Sequence, residues 1–217
     1  MHSLSKSNKT RIIRDIIAGA RLYEKFLVPY DFLIVTNDGK YNEVRFNKGD
    51  FAHLVGVRSH LNDLDFYKNY IKGTIAENNI NNQQRYDFGT IRKKIMRITK
   101  INKIVYSNAQ TNLVLVNLHT KTRDFPLAIE STNDKMVVAF TGKDLHARSL
   151  RNNNQTNADE KKNILAIFSK EKNSKSKYSN CVYLKNYKVL KSICCDLEEK
   201  VSVKIFNDLD KNKTTQI

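Results

Sequence analysis

The chain has 217 residues, enough for one domain or one domain with an appendage and for a real apolar core. Its apolar fraction of 40% is low for a compact fold yet well above that of disordered chains, and 38 Lys and Arg against 22 Asp and Glu leave a net charge of +16. That excess points first to nucleic acid as partner and second to an anionic membrane surface.

No apolar run reaches the roughly 18 to 20 residues of a membrane span, and the N-terminus lacks the uncharged stretch and cleavage site of a signal peptide. Cys181, Cys194 and Cys195 are odd in number and without CxxC spacing, so neither a disulfide framework nor a zinc site is expected. A reducing cytoplasm is the default compartment.

Ile12, Ile13, Ile16, Ile17 and Ala20 recur at helical spacing, with Asn8 or Thr10 as N-cap. "DFLIVTNDGKYNEVRF" then reads as a hairpin turning at Asn37 to Gly39. Asn47 or Asp50 caps a short helix carrying Phe51, Leu54 and Val55, which Gly56 interrupts. A second helix over "DLDFYKNYIKG" stops at Gly73. After the polar loop "AENNINNQQ", the stretch "TIRKKIMRITKINKI" is amphipathic. Ile91, Ile95 and Ile98 face inward, and Arg92, Lys93, Lys94, Arg97 and Lys100 make the other side basic.

The second half changes to short apolar runs: "NLVLVNLH", "DFPLAIES", "KMVVAFTG", and, after the Asn-rich "RNNNQTNADEKK", "NILAIFSK" and "NCVYLKN". "KVLKSICCDLEEKV" predicts a helix with Leu190, Ile193, Cys194 and Leu197 inward. Val201, Val203 and Ile205 then alternate like a strand, and the last dozen residues read as disordered. Strands arriving in a block predict an α+β fold, N-terminal helices and a hairpin packed on a twisted antiparallel sheet.

Walker-type and GxGxxG loops are missing, as are HExxH spacing and paired acids of the two-metal type. Metal-independent chemistry without a cofactor is therefore the economical expectation for a nuclease. It requires only a base for the 2′-OH, an acid for the leaving 5′-oxygen and cations for the phosphorane.

"NKGDFAHLVGVRS" followed by "FYKNYIKG" resembles the fourth phage group of barnase–EndoU–colicin E5/D–RelE-like nuclease domains. "KMVVAFTGKDLHARSLRN" is similar to that group's strand, turn and Ser-Leu segment, and "ILAIFSKEKNSKSKY" to its later strand with Lys and a downstream Tyr. The resemblance implies a helix-plus-sheet domain of a phage or other mobile element, with metal-independent RNase activity. It divides the chain into a helical extension (1–19), the nuclease domain (20–187) and a C-terminal helix/strand with a disordered tail (188–217). Relatives commonly carry a proline ahead of the Ser-Leu pair, whereas here "HARSLRN" puts His146 and Arg148 into that loop.

On this reading His53, Arg58, Ser149 and Lys170 are the catalytic candidates. His60, Arg92, Lys93, Lys94, Arg97, Arg148 and Tyr178 are candidates for nucleic-acid contact, and His119 is a surface residue. RNA, tRNA included, or another nucleic acid is the expected partner, together with an immunity or antitoxin protein and no membrane. The competing reading is a non-catalytic nucleic-acid-binding or inhibitory protein of a mobile element.

Overall fold

A computed structural model of the chain describes residues 2–106, 112–155, 157–193 and 197–214. Helix α1 (Lys6–Phe26) buries Ile12, Ile16, Ala20 and Tyr23, the three-to-four-residue rhythm of one helical face. Its N-cap is Ser5, which accepts the Asn8 N–H at 3.3 Å. Thr10, one of the caps expected from sequence, instead donates to Lys6 O and to Glu77 Oε1. The helix runs unbroken through residues 19 and 20. Strand β1 (His2–Ser3), before it, pairs with β4 (Gln83–Gln84).

The expected hairpin is present: β2 (Tyr30–Thr36) pairs antiparallel with β3 (Tyr41–Arg45) from Asp31↔Arg45 to Val35↔Tyr41. Helix α2 (Phe51–Val55) ends at Gly56, whose φ of +71° is left-handed. Helix α3 (Asp63–Lys72) is capped by Asn62 and stops at Gly73 (φ +69°). Helix α4 (Phe88–Ile98) is capped by Asp87 and turns Ile91, Ile95 and Ile98 inward.

Six further strands follow: β5 (Asn112–His119), β6 (Phe125–Ser131), β7 (Met136–Thr141), β8 (His146–Arg151), β9 (Asn157–Glu171) and β10 (Asn180–Leu184). The 15-residue β9 is shared. Its first part pairs with β5 (Leu113↔Asn163 to His119↔Asn157), and its second part pairs with β2 and β10. Neighbouring strands therefore run β9-β2-β3-β8-β7-β6-β5 and back to β9, a closed seven-strand barrel with β10 appended. This corrects the twisted antiparallel sheet expected from sequence, which closes on itself and contains one parallel pairing.

Closure was hidden for two physical reasons. The Asn-rich run taken as a connection contains the polar half of β9, which cross-strand polar contacts hold in place of apolar ones. Lys161 reaches Glu130 at 3.6 Å, Lys162 reaches Asp38 at 2.8 Å, and Asp159 accepts from Asn117 at 2.9 Å. The segment "HARSLR", taken as a loop, is strand β8. A register shift skips Arg148 between Ser149↔Ala139 and Ala147↔Phe140, and this bulge breaks the alternation that marks a strand.

Strand β8 meets β3 at one parallel bridge, Arg45↔His146. Each residue of that bridge is tied to a carboxylate with almost no solvent exposure. Arg45 Nε lies 3.1 Å from Asp31 Oδ1, and His146 Nδ1 donates to Asp50 Oδ1 at 2.8 Å. Nearby, Lys172 Nζ donates to Phe46 O (2.9 Å) and Asn47 Oδ1 (2.7 Å).

One face of the barrel sheet, with Phe32, Ile34, Val44, Ile129, Val138 and Ile167, shares its core with α1 to α4. On the opposite face Leu115, Ala128, Val137 and Ala139 pack with Leu118 and Phe125. Elsewhere on that face Leu33, Val35, Ala166 and Phe168 are covered by the C-terminal helices α5 (Tyr187–Ile193), α6 (Leu197–Lys200) and α7 (Val203–Thr214). Residues 203–214, where a strand and the start of a disordered tail were expected, form helix α7: Ile205 is buried as its anchor, and Val201 bridges Tyr178, while residues 215–217 lie outside the described residues. Leu190 and Leu197 are buried as expected, whereas Cys194 and Cys195 lie outside the described residues. Among the described residues no helix is long and apolar enough to cross a membrane.

Candidate nucleic-acid cleft

Because Ile91, Ile95 and Ile98 bind α4 to the core, its cations are displayed away from it. Part of that basic side forms one wall of a cleft of about 760 Å³, through Lys93, Lys94 and Arg97. Ser149 and Arg151 of β8 form the facing wall, and Tyr86 also lines the space. Among the described residues, no Asp or Glu lines the cleft.

Lys94 is the most buried of these cations. It packs against the Gly56 turn, where a Cβ would stand 3.0 Å from its Cδ and 3.1 Å from its Nζ. Its ammonium lies 5.6 Å from the Tyr86 ring centre, with no carboxylate within ion-pair distance among the described residues. Burial, followed by the charges of Arg151, Arg97 and Arg85, pushes its amine down to about 8.

The arginines are held by neutral acceptors. Arg97 donates to Lys135 O and Lys93 O, both at 3.2 Å. Arg151 donates from Nε to Ser149 Oγ (3.1 Å) and from Nη2 to Thr122 Oγ1 (2.8 Å). Such a site offers fixed donors and positive charge to an incoming phosphate without first having to break an ion pair.

His119 stands at the rim with both ring nitrogens engaged, Nε2 with Asp159 (3.0 Å) and Nδ1 with Asp124 (3.2 Å). The Asp159 and Asp124 carboxylates raise its pKa. Both ring nitrogens are thus already engaged by acids.

Nine of the sequence candidates fall in four places. Ser149, Lys93, Lys94 and Arg97 meet in the cleft just described. His53 and Arg58 line a smaller depression of about 390 Å³, where His53 Nε2 is 3.0 Å from Asp63 Oδ2. His60 lies in a third, beside Lys6, Lys9 and Glu77. Lys170 sits 4.8 Å over the Tyr178 ring, and Tyr178 is 1% exposed with its hydroxyl donating to Glu43 Oε2 at 3.0 Å. Lys200 Nζ donates to the other oxygen of Glu43 at 2.9 Å, so this group ties the C-terminal helices to the barrel. Arg92 is exposed on α4, and Arg148 is the half-buried bulge residue.

Sequence reasoning missed Arg151, Tyr86 and the rim position of His119. Arg151 had a usable signal: two residues after Ser149, it shares a strand face with it once "HARSLR" is read as a strand. Among the described residues, no three His, Cys, Asp or Glu side chains gather as metal ligands.

No curated protein and no solved structure matches the chain. A family model, phage-Barnase-EndoU-ColicinE5/D-RelE like nuclease4, matches residues 15–187, and the chain belongs to that family.

Proposed function

We propose that the protein is a metal-independent endoribonuclease of a phage or mobile element and that the Lys94 cleft is its active site. One observation carries the reading: a lysine that, among the described residues, has no carboxylate partner and sits flanked by arginines in a cleft without acidic lining. Family membership supports nucleic acid as the substrate class.

In this mechanism the neutral amine of Lys94 takes the proton of the 2′-OH, and the oxygen attacks the adjacent phosphorus. Arg97, Arg151 and Lys93 stabilise the charge that accumulates on the phosphorane. Ser149, already hydrogen-bonded to Arg151, orients a non-bridging oxygen. Tyr86 supplies the proton to the departing 5′-oxygen, leaving a 2′,3′-cyclic phosphate and a 5′-OH. His53 and Arg58, in their separate depression, bind flanking nucleotides rather than the reacting phosphate.

With an amine that titrates at about 8, the reactive neutral form of Lys94 is scarce at pH 6 and cleavage rises with pH through that value. The test is cleavage of a labelled RNA in EDTA with the product ends identified. Lys94→Met should lower the rate at least about 100-fold. Loss of cleavage in EDTA, or full activity in Lys94→Met, would overturn the proposal. The same cleft without its chemistry serves the alternative, a binding or inhibitory protein, which predicts salt-dependent RNA binding and no cleavage by the parent. An immunity protein, if the mobile element encodes one, would need acidic groups to cover this cleft.

A further inference from the structure

Just ahead of strand β6, Arg123 adds a positive charge that the catalytic reading does not use, and it shares a ring with Arg151, which that reading does use. The Arg123 guanidinium lies 4.5 Å from the centre of the Phe125 ring, and that of Arg151 lies 5.7 Å from the same ring. Phe125 is 2% exposed, so the ring serves as a buried support rather than as a surface for ligands. Hydroxyls fix both cations: Arg123 Nη2 donates to Thr141 Oγ1 at 2.7 Å, and Arg151 Nη2 donates to Thr122 Oγ1 at 2.8 Å.

Two acids stand close by in the chain fold, yet neither takes an arginine. Asp124, next in sequence to Arg123, and Asp159 are both engaged by His119. Among the described residues neither Arg123 nor Arg151 has a carboxylate within ion-pair distance. Arg123 also repels Arg151 across the shared ring. Two like charges held side by side over one apolar support, with the local acids turned away, are unfavourable until an anion arrives.

We infer that Arg123 and Arg151 form a second phosphate subsite beside Lys94, and that the cleft takes a nucleic-acid chain by at least two consecutive phosphates. This rests on the nuclease reading of the cleft and adds how the strand is held. Arg151 is the shared element, reaching Ser149 on the Lys94 side and the Phe125 ring on the Arg123 side.

The test uses a probe that cannot be cut, a fluorescent 2′-O-methyl RNA of about a dozen nucleotides, followed by anisotropy at several salt concentrations. A nucleoside 3′-monophosphate serves as a competitor for the Lys94 side alone. Arg123→Ala should weaken the long probe about tenfold and reduce the slope of log affinity against log salt by about 0.7. The monophosphate should bind as it does to the parent, and Arg123→Lys should restore most of the slope. Unchanged affinity and slope in Arg123→Ala would overturn the inference, as would an equal loss for probe and monophosphate. Because the probe is uncleavable, the outcome is independent of catalysis. Normal cleavage by Lys94→Met defeats the active-site proposal alone, and an unchanged slope defeats the second subsite alone.

Discussion

The molecule treats its basic side chains differently in two places. At the seam where β3 meets β8, Arg45 and His146 each face a buried carboxylate, and Lys172 is satisfied by a carbonyl and an amide oxygen. In the cleft, Lys94, Arg97 and Arg151 meet carbonyls, hydroxyls and rings, with no acid among the described residues lining the space. A paired buried charge roughly offsets its own desolvation, whereas an unpaired one is a net cost to the fold. The chain has only 22 acids for 38 Lys and Arg, so some cations must go without. Exposed lysines would bear that deficit at little cost in water. Its concentration in a cleft is what separates a binding site from a merely basic surface.

The largest effect should come from breaking the paired region. Asp50 accepts from His146, and Asp31 holds Arg45, so together they anchor both residues of the one bridge between β3 and β8. Asp31→Ala should lower stability by about 3 kcal/mol, because the Arg45 guanidinium is left facing a site built for its partner, and Asp50→Ala should lower it by about 2 kcal/mol, because His146 Nδ1 loses its acceptor. Urea unfolding measures this directly. If either variant unfolds at the parent's urea concentration, the seam is held by its backbone and apolar contacts, and the contrast between the two regions fails.

The unpaired region should respond with the opposite sign. The folded protein disfavours the ammonium form of Lys94, lowering its pKa to about 8 from an unfolded value of about 10.4. Between those values the unfolded chain binds more protons, so stability rises with pH across that window, and the penalty is fully present below about 8. Lys94→Met removes the penalty. It should gain about 2 kcal/mol at pH 7, with the gain fading towards pH 10, while cleavage is lost. Unfolding curves at the two pH values check this, and a variant less stable than the parent at pH 7 would show that Lys94 is a structural group.

Much of the scaffold around this contrast was legible in the sequence. The isoleucine rhythm of α4, the glycine stops after α2 and α3, the β2–β3 hairpin and the strands β5 to β7 all carry strong local signals. Closure of the barrel was not legible, because it depends on one long strand pairing with β5 at its start and β2 at its end. The polar half of that strand carries no apolar alternation, and the bulge at Arg148 conceals β8. The site shared this fate. Lys93, Lys94, Arg97 and Ser149 could be nominated singly, but their meeting depends on β8 being a strand set against α4. Residue type alone equally nominates Lys170, whose ammonium rests on a buried tyrosine.

The finest test of the cleft uses two glycines that differ in one respect. Gly56 and Gly73 both end helices with left-handed φ, +71° and +69°. A Cβ at Gly73 meets nothing within 4 Å, whereas a Cβ at Gly56 would stand 3.0 Å from Lys94 Cδ. Alanine at either position should cost about 1 kcal/mol of backbone strain. Only Gly56→Ala should also displace the Lys94 side chain, which is flexible and moves at little further cost in stability. Equal melting temperatures with cleavage reduced several-fold in Gly56→Ala alone would therefore isolate the position of one amine from the stability of the fold. Equal activity in the two variants would mean that Lys94 does not need its place against the turn, and that the cleft's function is spread over its arginines.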